Sequence, residues 1–262
     1  MRIRALLAKE FLDIARNRIL LLPVALVTLV SLAIPFAVIL IGPALTGRPL
    51  GEDAALAEIG ARIGSGHVAA NIAIETFLFQ QFLLFFLLTP ITAALSLAAH
   101  AIVGEKQART LEPLLATPVS TFELLASKVL GALLPTLGVS AVGLALYLAG
   151  IAVFAHPGVF AAMATARTAL LVVFVCPAAA LVSVQAAIVV SSRVNDARTA
   201  QQIGVLIILP LTAVFVAQFG GAWLVTAPML ALVGAGLLGV WVLLALVSVA
   251  LFDREAILTR WR

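Results

Sequence analysis

Charged side chains make up only 11% of the 262 residues and are missing altogether from several long stretches of the chain. A soluble domain carries about a quarter of its residues charged, so lipid rather than water must be the main solvent here. Cysteine occurs once, as Cys176, which excludes an intrachain disulfide framework and a zinc cluster built on thiolates. The three histidines, His67, His100 and His156, are too scattered to give a metal-ligand spacing. No G-x-x-x-x-G-K-[ST] is present, so the chain has no P-loop to cradle nucleotide phosphates. Ser191, Ser192 and the other hydroxyls have no His and acid nearby in sequence, which removes the pattern of an activated nucleophile.

What the chain does have is apolar length, with 63% hydrophobic residues and a mean hydropathy of +1.20. A membrane-crossing helix needs about 20 mostly apolar residues, each rising about 1.5 Å across a core of about 30 Å. Six stretches fit: 19–41, 77–103, 129–155, 170–190, 203–219 and 229–252, none holding Asp, Glu, Lys or Arg. Strands in lipid must close into barrels and alternate in polarity, and these uniform runs do not alternate. The expected fold is therefore an all-α integral membrane protein, one transmembrane domain over 1–262 with six transmembrane helices. The first run is longer than the core of a secretory signal, and no clear A-x-A site follows, so it is read as a retained span.

Basic residues set the orientation. With the amino end inside, the inner face holds Arg2, Arg4, Lys9, Arg16, Arg18, Lys106, Arg109, Lys128, Arg193, Arg198, Arg254, Arg260 and Arg262, thirteen of the sixteen. Only Arg48, Arg62 and Arg167 stay outside. Both termini are expected to be cytoplasmic. The same bias explains the net charge of +4 without a nucleic-acid partner.

Within the runs the polar groups are uncharged: Gln80, Gln81, Thr89, Thr92, Ser96, Ser140, Ser183, Gln185 and Thr212. Such groups bond neighbouring helices or line a path. Ion and proton pumps usually carry charges inside the membrane, so their absence points to an energy source outside the chain. Pro23, Pro35, Pro90, Pro135, Pro177 and Pro210 interrupt the runs, which suits a kinked packed bundle and equally a moving gate.

Residues 1–18 read as an interfacial amphipathic helix, with Ile3, Leu6, Leu7, Phe11 and Ile14 on an apolar stripe. Arg4, Lys9, Glu10 and Asp13 are expected on the other faces, and the helix is either a membrane anchor or an elbow packed against a cytoplasmic partner. The outer loop, 42–75, contains a short helical pattern over 52–63 with Leu56, Ile59 and Ile63 on one face.

The inner loop 104–128 is different: it is charged, carries two prolines and presents leucines. Thr110 caps a short helix with Pro113 in its first turn, and Pro118 ends that helix. Ser120-Thr121-Phe122-Glu123 then forms a capping box that starts the next helix. Exposed Leu111, Leu114 and Leu115 make a docking surface, or an interfacial helix lying against lipid.

The segment Glu105-Lys106-Gln107-Ala108-Arg109-Thr110-Leu111-Glu112-Pro113-Leu114-Leu115-Ala116-Thr117-Pro118-Val119-Ser120, continuing to Lys128, closely resembles the signature of ABC-2 type ABC-transporter permeases. A weaker likeness runs over 191–202. Arg109 stands where glycine is common and is expected to make the turn before Thr110 more helical; Ser127 replaces another frequent glycine. The resemblance implies a transport subunit with no ATPase activity or bound cofactor of its own. It implies a short cytoplasmic coupling helix between spans two and three, where Glu105, Thr110, Leu111, Glu112, Leu114 and Leu115 meet a separate P-loop ATPase carrying ATP and Mg. It also implies a second permease chain, identical or related, and a prokaryotic cytoplasmic membrane. Two other readings stand beside it: an ATPase-coupled scaffold for cofactor or envelope assembly, and a membrane-embedded lipid enzyme, for which no carboxylate or histidine cluster is visible.

Overall fold

The computed structural model describes residues 2–47, 49–52, 70–109, 121–194, 196, 199, 201–202, 206, 213–214, 216–217 and 225–251. Among them every regular element is helical. The order is α1 (Arg2–Arg16), α2 (Arg18–Phe36), a π segment (Ala37–Ile41) and α3 (Gly42–Thr46), then α4 (Ala70–Phe85) and α5 (Leu88–Gln107). There follow α6 (Thr121–Phe154), α7 (Val159–Ala162), α8 (Ala166–Leu170), a second π segment (Leu171–Val175), α9 (Cys176–Arg193) and α10 (Ala227–Leu251).

Five helices are long and apolar enough to cross a membrane: Leu20–Leu45, Asn71–Gln107, Phe122–Phe154, Ala166–Arg193 and Ala227–Ala250. The sixth expected stretch, 203–219, and the short outer helix, 52–63, fall mostly outside the described residues. Each helix outruns its apolar stretch at one or both ends. Glu75, Glu105, Lys106 and Arg167 thus belong to the spans, although the apolar runs exclude them.

The second span is the axis of the bundle, with 83% of its apolar window buried against 11% for the last. Helix α5 packs along α9, and α9 along α10. Outward-facing positions such as Leu22, Leu29, Val153, Val173 and Leu232 are exposed and apolar, as a lipid-facing surface requires. The buried apolar side chains form two clusters. One, around Ile14, Leu97, Ile102, Leu124 and Ile188, lies at the α1 end. The other, around Ile74, Phe79, Tyr147, Ile151 and Met163, lies at the far end. There Tyr147 donates its hydroxyl to the Phe79 carbonyl at 2.7 Å, satisfying the chain's single tyrosine inside the bundle.

Proline explains where two of the spans break. Pro90 has no N–H to return to Phe86, so the Phe86 carbonyl accepts from Thr89 N at 3.0 Å and the helix interrupts at Phe86 and Leu87. Pro177 likewise offers nothing to the turn before it, which widens into the π segment Leu171–Val175. Pro23 and Pro135 sit inside continuous helices, α2 and α6.

Candidate functional site

Among the described residues the densest charge gathers at the α1 end. Helix α5 carries Glu105 and Lys106 in its last turn, and Lys128 follows seven residues after α6 opens at Thr121. Lys128 Nζ lies 2.6 Å from Glu10 Oε1 and 2.8 Å from Glu105 Oε1, and donates to the Ala101 carbonyl at 3.0 Å. Lys9 Nζ meets the same Glu105 oxygen at 2.5 Å. Two lysines and two glutamates from α1, α5 and α6 therefore form one neutral cluster. Lys128, Glu10 and Glu105 are all buried, at 4%, 6% and 8% exposure. Charges removed from water persist only when paired in this way.

The cluster lines a pocket of about 380 Å³ together with Asp13, His100 and Gly104. Burial pushes the Glu10 carboxyl above its ordinary range, and the Lys128 charge pulls against that without reversing it. For Lys9, burial alone would lower the pKa. The Glu105 hydrogen bond and the charges of Glu105, Glu10 and Asp13 outweigh it, leaving the ammonium held above 10.5.

Lys106, one position on, faces another way. Its Nζ donates to the carbonyls of Ser191, Ser192 and Val194 at 2.7, 2.9 and 3.1 Å, at the carboxyl end of α9. A cation there satisfies carbonyls that have no helical partner and complements the helix dipole. Gln201 Nε2 reaches back to Ser96 Oγ at 3.1 Å, tying the 191–202 segment to the second span. Asn17 caps α2 by accepting from Leu20 N at 3.2 Å, while its amide meets His100 Nε2 at 3.0 Å.

Of the residues implicated by sequence, Glu105 is placed at the centre of this cluster. Thr110, Leu111, Glu112, Leu114 and Leu115 lie outside the described residues. Lys9, Glu10 and Lys128 were not singled out from sequence, and Glu10 corrects an expectation: it faces the bundle instead of the polar side. Its position carried a signal. Glu10 follows Leu7 by three and precedes Ile14 by four, so it sits on the apolar stripe itself. The close approach of α1 to α6 depends on Gly131, where a Cβ would come within 2.9 Å of Glu10 Cβ.

Arg109 supplies a second correction. It does not prolong the helix; Ala108 N and Arg109 N bond back to Gly104 O and Lys106 O, and Arg109 takes φ +54°, a left-handed conformation. A non-glycine residue holds that shape at a cost of about 1–2 kcal/mol, which explains why glycine would suit the position. The loop thus leaves α5 by a sharp turn.

The family model described as ABC-2 family transporter protein matches residues 4–249. The chain belongs to the ABC-2 family of transporters, as a multi-pass membrane component. No curated protein matches it.

Proposed function

We propose that this chain is the permease subunit of an ATP-driven exporter, worked from the inner face by a separate P-loop ATPase that docks on loop 104–128. In this reading the α1 end is cytoplasmic in a prokaryotic inner membrane. Thr110, Leu111, Glu112, Leu114 and Leu115 make the contact, with Glu105 beneath them. ATP and Mg sit on the partner, and a second permease chain completes the path.

The observation that carries the reading is the fastening of both ends of the loop. Glu105, before it, and Lys128, after it, are bonded to each other and to α1, while Lys106 is bonded to the end of α9. A push on the loop is therefore delivered to α1 and to three spans together, instead of being lost in a slack connection. Nucleotide on the partner drives the change only through its differential affinity for two states. Reversing a 1:99 equilibrium takes about 5.5 kcal/mol, well within one tight nucleotide-driven closure. The fall in hydrophobic contact on substituting a docking leucine gives the test. Leu114→Glu is expected to abolish co-purification with the ATPase and to return ATP turnover to that of the ATPase alone. Unchanged assembly and turnover would contradict the contact.

A further inference from the structure

The far end of the bundle holds a cation of a different kind. Arg167, in the first turn of the fourth span, reaches across to α4 and donates from Nη1 to Gln80 Oε1 and from Nη2 to Gln81 Oε1, both at 3.2 Å. Among the described residues no carboxylate pairs with it. The one acid of α4, Glu75, is engaged elsewhere: its Oε1 lies 2.5 Å from His156 Nδ1 and its Oε2 accepts from His156 N at 3.1 Å. Gln81 is fully buried at 0% exposure, and its amide Nε2 has no hydrogen-bond partner among the described residues. A guanidinium has five donors, so this corner combines an unneutralised charge with unused N–H groups. A half-buried guanidinium held by amide oxygens keeps its charge for an anion, with which it makes shorter and stronger hydrogen bonds.

Further along the same two spans lies a cavity of about 270 Å³. Leu171 lines it four residues on from Arg167, and Leu83 and Leu87 line it three and seven on from Gln80, each at helical spacing, with Cys176 further along the fourth span. Leu144 and Ser140 line it from α6, and the Ser140 hydroxyl is spent on the Thr136 carbonyl at 2.8 Å. The break at Phe86 and Leu87 and the π segment Leu171–Val175 both border this space. Drug-sized ligands need about 300–1,000 Å³, so the volume suits a single apolar chain better than a bulky ring system.

We infer that the far end binds an anionic amphiphile. Its phosphate or carboxylate head takes the free donors of Arg167 and the Gln81 amide, and its chain occupies the apolar cavity. This site does not depend on ATPase docking, because binding is an equilibrium property of the permease alone.

The test uses the full chain in phosphatidylcholine nanodiscs, titrated with spin-labelled dodecyl phosphate. Saturable binding is expected, roughly tenfold weaker in Arg167→Gln, since a charge-assisted hydrogen bond is lost. Leu171→Trp, which fills the cavity, is expected to weaken it as well, with folding of both variants checked by gel filtration. Dodecyltrimethylammonium should not compete. Equal binding by wild type and Arg167→Gln, or equal competition by the cationic amphiphile, would overturn the site. So would release by inorganic phosphate alone, which would leave the chain without a role. Competition by added phosphatidylglycerol would support the site with a lipid headgroup as the source of the anion. Its absence would support it with a free amphiphile.

Discussion

The two ends of this bundle treat charge in opposite ways. At the α1 end, Lys9, Glu10, Glu105 and Lys128 neutralise one another within 2.8 Å, from three helices. At the far end, among the described residues, Arg167 meets only the amides of Gln80 and Gln81. A closed ionic cluster fixes geometry, because removing any member strands a buried charge. A cation bonded only to amides fixes little and leaves donors free. The first arrangement suits a joint that passes force between helices, and the second suits a place where something binds.

Several substitutions would break or sharpen that contrast. The largest effect is expected for Lys128→Ala, which strands Glu10 and Glu105 and should cost about 3–5 kcal/mol in denaturant unfolding of the purified protein. Replacing the three buried members by neutral residues of similar shape, with Lys128→Met, Glu10→Gln and Glu105→Gln, should restore most of that stability, because the remaining Lys9 is half exposed. If the single and combined variants were equally unstable, the loss would not arise from stranded charge. Gly131→Val forces α1 away from α6 at Glu10 and should cost about 1–3 kcal/mol by overpacking. At the far end, Arg167→Gln should cost less than either, about 1 kcal/mol by the same unfolding assay, because no buried anion is left behind. Arg109→Gly, relieving the left-handed backbone, should raise stability by about 1 kcal/mol.

The smallest effect is one of pH. Lys9 titrates higher in the folded protein than its ordinary 10.5, so its stabilising contribution is complete below that value and fades as pH rises through the folded value. Thermal stability should fall over that alkaline window in wild type and more shallowly in Lys9→Met. Glu10 is raised as well, so stability again falls as pH rises, here on the acid side. With its carboxyl raised, the unfolded chain loses that proton first, so this group opposes folding once pH exceeds the ordinary value of 4.5. Glu10→Gln should remove that part of the acid-side dependence.

Much of the architecture could be read from the apolar runs, because lipid permits only long helices or barrels. The runs did not fix the ends. Charged residues such as Glu105 and Arg167 continue the helices past the apolar stretch, since a span needs no apolar side chain in its first or last turn. Glu105 was legible through the motif that contains it. Lys128 closes the same motif, but Lys9 and Glu10 lie 96 and 95 positions away, and only tertiary packing brings them to Glu105 and Lys128. Arg109 misled because propensity favours helix for arginine, whereas the helix end required a left-handed residue. Arg167 looked like a loop cation until the fold turned it toward two glutamines already counted as interior polar groups.

The account rests on loop 104–128 being the point where a separate ATPase grips the membrane domain. The most direct measurement places a single cysteine at Leu114 in a Cys176→Ser background and applies a short thiol cross-linker to membranes containing both proteins. A covalent adduct between permease and ATPase, with position 114 shielded from impermeant reagents in intact cells, is the expected result. Labelling of that cysteine from outside the cell, or no adduct with an ATPase that is present and active, would contradict it.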